Sequence, residues 1–190
     1  MNSLISLYRS ITGALDRADG LLSTLARFLF AAVFLFYFWV SGLTKLGDGI
    51  LGIFQPALGA YAQIFPRAME AAGYDASQLS FLHTLVVMAG TWAEFILPAL
   101  IVLGLATRFA ALGMIGFVTL QTLTDLFGHN LLAEPDAVGA WFDRVPDAVI
   151  MDQRSLWLFL LIVLVLKGAG PLSLDRLVQR KLAPHYTSAA

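Results

Sequence analysis

The stretch AEFILPALIVLGLATRFAALG, Ala93 to Gly113, decides the fold. On either side of GLATR, Gly104 to Arg108, the chain is apolar over about the 20 residues that a helix needs to cross a hydrocarbon layer about 30 Å thick. So short a connection forces the two spans to be antiparallel neighbours. The same stretch poses a chemical question, because Glu94 sits inside the apolar run. An acidic side chain at the bilayer centre costs about 2.5 to 3.5 kcal/mol even on the lenient insertion scale, so Glu94 needs a partner, a proton or a job.

Working outward, the whole chain reads as a membrane protein. It has 190 residues, 58% hydrophobic and 13% charged, where a soluble domain carries roughly a quarter charged residues. A net charge of −1 leaves no basic surplus, and Lys and Arg stand at the edges of apolar runs, so nucleic acid is excluded as a partner. With no Cys there is no disulfide, thiolate metal site or thiol redox chemistry, and any redox role must use a cofactor or a partner.

Four runs pass the spanning test, which predicts an all-α integral membrane four-helix bundle with surface amphipathic segments. They are Arg27–Lys45, about Leu82–Leu105, Arg108 to about His129, and about Asp152–Lys167. Arg27 and Lys45 bracket the first and are placed to snorkel towards headgroups. The fourth is almost pure Leu, Ile, Val and Phe and is expected to have the most lipid contact. The first reads as an uncleaved signal anchor. The chain divides into an interfacial amphipathic segment at 1–24, a bundle at 25–172 and a tail at 173–190. In the first segment Leu4, Leu7, Ile11, Leu15 and Leu22 recur at helical spacing with Arg9, Asp16 and Arg17 elsewhere. The connection Gly47–Ser80 predicts a short interfacial helix broken at Pro66, and Asn130–Met151 a cap over the bundle.

Orientation follows from the cations. Arg9, Arg17, Arg27, Arg108, Lys167, Arg176, Arg180 and Lys181 lie on one side, Lys45, Arg67, Arg144 and Arg154 on the other. Eight against four places both termini in the cytoplasm.

Polar residues recur on helical faces of three spans. Tyr37, Ser41 and Lys45 form one stripe and Gln121, Asp125 and His129 another, each at i, i+4 and i+8. His83 and Glu94 share a face of the second span. Counted from flanking charges at 1.5 Å per residue, Tyr37, Glu94 and Gln121 fall near mid-membrane, and Lys45, His83, Asp125 and His129 in the outer third. The expectation is a pocket between the first three helices with Glu94 at its floor and Tyr37, Lys45, His83, Glu94, Gln121 and Asp125 as ligand-binding residues. Pro98 strengthens it: with no backbone N–H, it frees the Glu94 carbonyl, which Tyr37 or Gln121 would satisfy.

Each feature has a structural reading too. Glu94 serves equally as a neutral, hydrogen-bonded acid gluing helices, and Asp125 with Lys45 as an interfacial ion pair. His83 and His129 are the candidates for a haem or copper site, although two histidines near an interface are more often solvated or capping residues. The aromatic run FLFYFW reads as lipid-facing bulk. No phosphate loop, dinucleotide fingerprint, HExxH or nucleophile elbow occurs, so no independent catalytic residue is assigned.

SGLTKLGD (Ser41–Asp48), AEFILPALIVLGLATRFAALG and KGAGPLSLDRL (Lys167–Leu177) together resemble the DoxX family of small bacterial membrane proteins across all four spans. The resemblance implies a four-helix inner-membrane protein in which Lys45, Glu94, Arg108 and, less closely, Gln121 match the family pattern. It also implies kinship with membrane subunits of a thiosulfate:quinone oxidoreductase and with envelope oxidative-stress, thiol and metal-stress systems. The loop Gly128–Val149 is longer than in the simplest members, so contacts there do not transfer.

The preferred expectation is an accessory of an envelope redox or stress system whose pocket binds a quinone-like or other small ligand, with the lipid bilayer, an envelope redox protein and further copies of the chain as partners. A solute or metal transport component and a ligand-free scaffold for a soluble partner are the alternatives. The lack of an inverted repeat and of polar residues below Glu94 weighs against transport.

Overall fold

The structure, a computed structural model, describes residues 2–16 and 18–182. Arg17, assigned to the polar face of the first segment and to the orientation count, and residues 183–190 of the tail lie outside the described residues.

An N-terminal helix, α1 (Asn2–Asp16), precedes the first spanning helix, α2 (Gly20–Leu43). Helices α3 (Leu58–Ile64) and α4 (Pro66–Ala71) lie in the first long connection, followed by α5 (Phe81–Leu103) and α6 (Thr107–Gly128). The short α7 (Pro135–Val138) leads to the fourth span, α8 (Val149–Lys167), and α9 (Leu174–Leu182) closes the described chain. The protein is thus all-α with four membrane-spanning helices, and among the described residues there is no strand, only an isolated bridge between Leu46 and Pro56.

The spans form a ring in the order α2, α5, α6, α8, each packed on the next and α8 closing back onto α2. The hairpin makes α5 and α6 antiparallel neighbours, as GLATR requires. We call the end holding Arg27, Arg108 and Lys167 the basic end and the other, where the long connections lie, the loop end. Lipid tails are as apolar as Leu, so helices associate through close packing rather than through the hydrophobic effect. Phe30, Phe34 and Phe38, one turn apart on α2, are buried in this core with Ile101, Met114, Val118, Leu161 and Leu164. The aromatic run therefore splits: Phe34 and Phe38 face Trp157, while Phe36 faces outward. Gly42 lets α2 and α5 touch, since a Cβ there would lie 2.7 Å from the Phe95 ring.

One expectation about α2 changes. The α2 helix begins at Gly20, so Arg27 lies inside it, and neither Arg27 nor Lys45 snorkels. Arg27 instead donates to the carbonyls of Ile101, Val102, Ala169 and Leu172. The fourth span and α6 are the two least buried of the four, while Arg154, Leu161 and Leu164 turn one face of α8 into the bundle.

The basic end is fastened by the two glycine-rich motifs acting on each other. Gly104, with φ +68°, ends α5, and its missing Cβ leaves room for Ser173 and Arg27, which one would approach to 2.6 and 2.8 Å. Ala106 precedes α6 and has no side-chain acceptor to cap it. Asp175, from the distant LSLD segment, does so by accepting from the amides of Ala106 (2.7 Å) and Thr107 (3.0 Å).

At the loop end Pro66 breaks the first connection between α3 and α4. Residues 46–56 form a compact loop pinned by the Trp92 indole, which donates to the Ile53 carbonyl at 2.9 Å, and closed by an Ala57 N–H bond to the Lys45 carbonyl. Further on, the Ser77 hydroxyl and amide and the Gln78 side chain all donate to Asp75, holding its carboxyl below the usual range. The second connection folds back on the ends of α6 and α8, with the Trp141 indole donating to the Met151 carbonyl.

Candidate functional site

The inward face of α5 runs through Val87, Thr91, Glu94, Pro98 and Ile101, all buried. Glu94 lies 13 residues from the loop end of α5 and 9 from the basic end, well within the span. Lys45 meets it there: its Nζ donates to both carboxylate oxygens at 3.0 Å, and both residues are within 5% of full burial. The Ser41 hydroxyl closes the set, accepting from Lys45 Nζ at 2.7 Å and donating to Glu94 Oε1 at 2.9 Å. Glu94 is therefore partnered by a cation one helix away.

A second polar group joins the other helices. Gln121 Nε2 donates to the Tyr37 hydroxyl at 3.2 Å, linking α6 to α2 across the ring. The Tyr37 ring lies edge-on to Trp157 of α8 at 5.4 Å. One turn from Gln121, Asp125 forms an ion pair with Arg154 at the start of the straight part of α8. So two pairs of neighbouring spans each carry an ion pair: Lys45 with Glu94, both buried, across α2 and α5, and the buried Arg154 with the half-buried Asp125 across α6 and α8. The expected pairing of Lys45 with Asp125 is thereby corrected. So is the role given to Pro98, since Tyr37 and Gln121 bond each other, and Trp39 donates instead to the carbonyl of Phe95, at 3.2 Å.

The second group is incompletely satisfied. Nε and Nη1 of Arg154 and Oε1 of Gln121 are buried without a hydrogen-bond partner among the described residues. Each such group in a low-dielectric interior costs about 1 to 3 kcal/mol unless a water or ligand meets it. Irregular backbone gathers around these residues as well. A π-turn at Ala31–Leu35 precedes Tyr37, one at Thr124–Gly128 contains Asp125, and one at Val149–Gln153 ends beside Arg154. A π-turn adds a residue to one turn and re-aims the side chains beyond it, and such turns are frequent at functional sites.

The sequence model of the DoxX family matches residues 22–129. The chain belongs to the DoxX family. No curated protein and no solved structure matches it. The family match takes in α2, α5 and α6 and stops before α8, so in this DoxX protein Lys45, Glu94, Gln121 and Asp125 fall inside it, whereas Arg154 and KGAGPLSLDRL fall outside. Family membership and the four apolar helices make it a multi-pass protein of a lipid bilayer.

The remaining predicted site residues lie at the loop end of the DoxX bundle. The His83 ring meets the Ser80 hydroxyl at 2.8 Å and stands edge-on to Phe65, while His129 Nε2 lies 3.0 Å from the Gln63 carbonyl. Both imidazoles thus hold the 63–65 segment against the bundle, and no group of three or more His, Asp or Glu placed to hold a metal ion occurs among the described residues.

Sequence reasoning missed Arg154, which it counted only among the cations on the side away from the termini. The available signal was spacing: residues 154, 157, 161 and 164 form one helical face, on which Leu161 and Leu164 are core residues and Trp157 packs against the core. Ser41 was legible as part of the α2 stripe but was not assigned to the site.

Proposed function

We propose that this DoxX protein is an inner-membrane accessory of an envelope redox or stress system and that the Tyr37–Gln121–Asp125–Arg154 group seats a small oxygen-bearing ligand such as a quinone. The observation that carries the reading is the set of unmet hydrogen-bonding atoms on Arg154 and Gln121, gathered beside the Tyr37 and Trp157 rings. A quinone carbonyl would accept from Arg154, and a quinol hydroxyl would donate to Gln121 Oε1. The rings would flank the apolar head, as in most small-molecule sites, where a few polar groups orient a ligand between apolar walls. Asp125, still partly open to the surface, would exchange the proton that accompanies reduction, the electrons coming from a protein partner. Lys45 and Glu94 would brace the neighbouring pair of spans and His83 the rim; neither group would touch the ligand's oxygens first.

The basic end is assigned to the cytoplasm. Of the four cations set against that orientation, Lys45 and Arg154 are buried in ion pairs, which leaves Arg67 and Arg144 exposed at the loop end. Facing them at the basic end, Arg9, Arg108, Lys167, Arg176, Arg180 and Lys181 are exposed.

Difference spectra of a short-chain quinone with the purified protein test the seat. The Arg154→Met/Asp125→Leu double variant, which removes the ion pair as a unit, and Gln121→Leu are expected to weaken binding by about ten-fold or more. Binding that is unchanged in both variants, or absent in the wild-type protein, rejects it.

A further inference from the structure

A second site lies at the basic end, on the far side of the bundle from Arg154. The turn Lys167–Ser173 leaves a cavity of about 440 Å³ between the start of α6, the end of α8 and α9. Three cations from three elements line it: Arg108 of α6, Lys167 of α8 and Arg176 of α9. An adjoining hollow of about 410 Å³ shares all three and extends to Ser23 and Leu166. One carboxylate, Asp175, also borders the cavity, but its oxygens accept from the amides of Ala106 and Thr107. The three cations lie at the level where the apolar spans end.

The site is built rather than a chance crowd of surface cations. Arg108 Nη1 donates to the Val165 carbonyl at 2.9 Å, which fixes the guanidinium against the end of α8. Gly168, at φ +78°, gives it space: a Cβ would stand 3.2 Å from Arg108 Nε. Thr107, in the cavity wall, has a wholly buried hydroxyl with no hydrogen-bond partner among the described residues. Towards the membrane core each hollow has an apolar, open rim, with Phe109 80% exposed at the first and Leu166 66% exposed at the second.

We propose that this basin binds the phosphate of an anionic phospholipid, with its acyl chains lying along Phe109 and Leu166. A planar guanidinium pairs with phosphate oxygens through parallel N–H bonds, and ammonium groups add charge without demanding geometry. Basic pockets between spanning helices at headgroup level recognise anionic headgroups in this way. A soluble phosphate would use the same cations but would leave the apolar rim uncovered. The binding would tie α6, α8 and α9 together at the motif that also caps α6, and it is independent of any ligand held at Arg154.

The test is native mass spectrometry and thermal unfolding of the full chain, purified free of lipid, with added phosphatidylglycerol, phosphatidylcholine of the same chains, or inorganic phosphate. Phosphatidylglycerol is expected to give a one-lipid adduct and to raise the unfolding midpoint. Lys167→Gln/Arg176→Gln, two exposed positions, is expected to weaken that binding about thirty-fold, while Arg67→Gln/Arg144→Gln at the loop end leaves it unchanged. Several outcomes overturn the proposal: equal loss in both variant pairs, no loss in the first, equal binding of phosphatidylcholine, or displacement of phosphatidylglycerol by inorganic phosphate at matched concentration. The helical circular dichroism of each variant distinguishes lost binding from lost fold.

Discussion

Lys45 and Glu94 meet because side chains on a helix lean towards its N-terminus, and α2 and α5 run in opposite directions. Lys45, just past the end of α2, leans back into the bundle, and Glu94, inside α5, leans towards the loop end. The Ser41 hydroxyl between them completes the hydrogen bonding, and the absent side chain of Gly42 lets the helices close. Removing one member of a buried pair leaves an uncompensated charge, a loss of about 3 to 5 kcal/mol, whereas replacing both with apolar residues of similar size is close to neutral. Lys45→Met and Glu94→Leu are therefore each expected to lower the unfolding midpoint in detergent, and the double variant to recover most of the loss. If the double variant is as unstable as the sum of the two singles, the pair is not the unit described.

Among the elements, the GLATR hairpin is held by a residue far away in sequence. Ala106 occupies the cap position of α6 with φ +48° and no polar side chain, so the amides there rely on Asp175. Arg27 meanwhile gathers the carbonyls at the end of α5 and in the 169–172 turn. Asp175→Ala is expected to cost about 1 to 2 kcal/mol, the worth of a good cap, and to speed hydrogen exchange first in the amides that begin α6. Exchange that rises uniformly along α6 instead would show that Asp175 acts on the bundle as a whole. The three π-turns belong to this scale as well: those at Ala31–Leu35 and Val149–Gln153 rotate the helix that follows them, ahead of Tyr37 and Arg154, and the one at Thr124–Gly128 closes α6 around Asp125.

For the molecule as a whole, exposed basic charge gathers at one end of the ring of four helices, whereas the exposed ions of the loop end are mostly acidic: Asp48, Glu70, Asp75, Glu134, Asp136, Asp143 and Asp147 beside Arg67 and Arg144. A cytoplasmic basic end predicts the accessibility of both ends. The chain has no Cys, so single cysteines can report it. In intact cells Ala140→Cys, in the second long connection, is expected to react with a membrane-impermeant maleimide, and Ser10→Cys, on α1, only after permeabilisation. The reverse pattern would invert the assignment and place the phosphate basin in the outer leaflet.

The spans, their antiparallel hairpin and the membrane class were legible from sequence, because crossing a bilayer is a requirement on the length and polarity of single segments. Glu94 announced its need for a partner for the same reason. Which partner it takes was not legible: Lys45 and Arg154 look alike as cations at the ends of apolar runs, and their choice between Glu94 and Asp125 depends on how the helices ring and rotate. The π-turns, which set that rotation, leave no periodic mark over so few residues. Asp175 and Ala106 likewise meet across 69 residues of chain, a contact that arises only when α8 returns beside α6. Segment properties follow from local composition, whereas pairing and capping follow from the packed arrangement of helices that brings distant side chains within hydrogen-bonding reach.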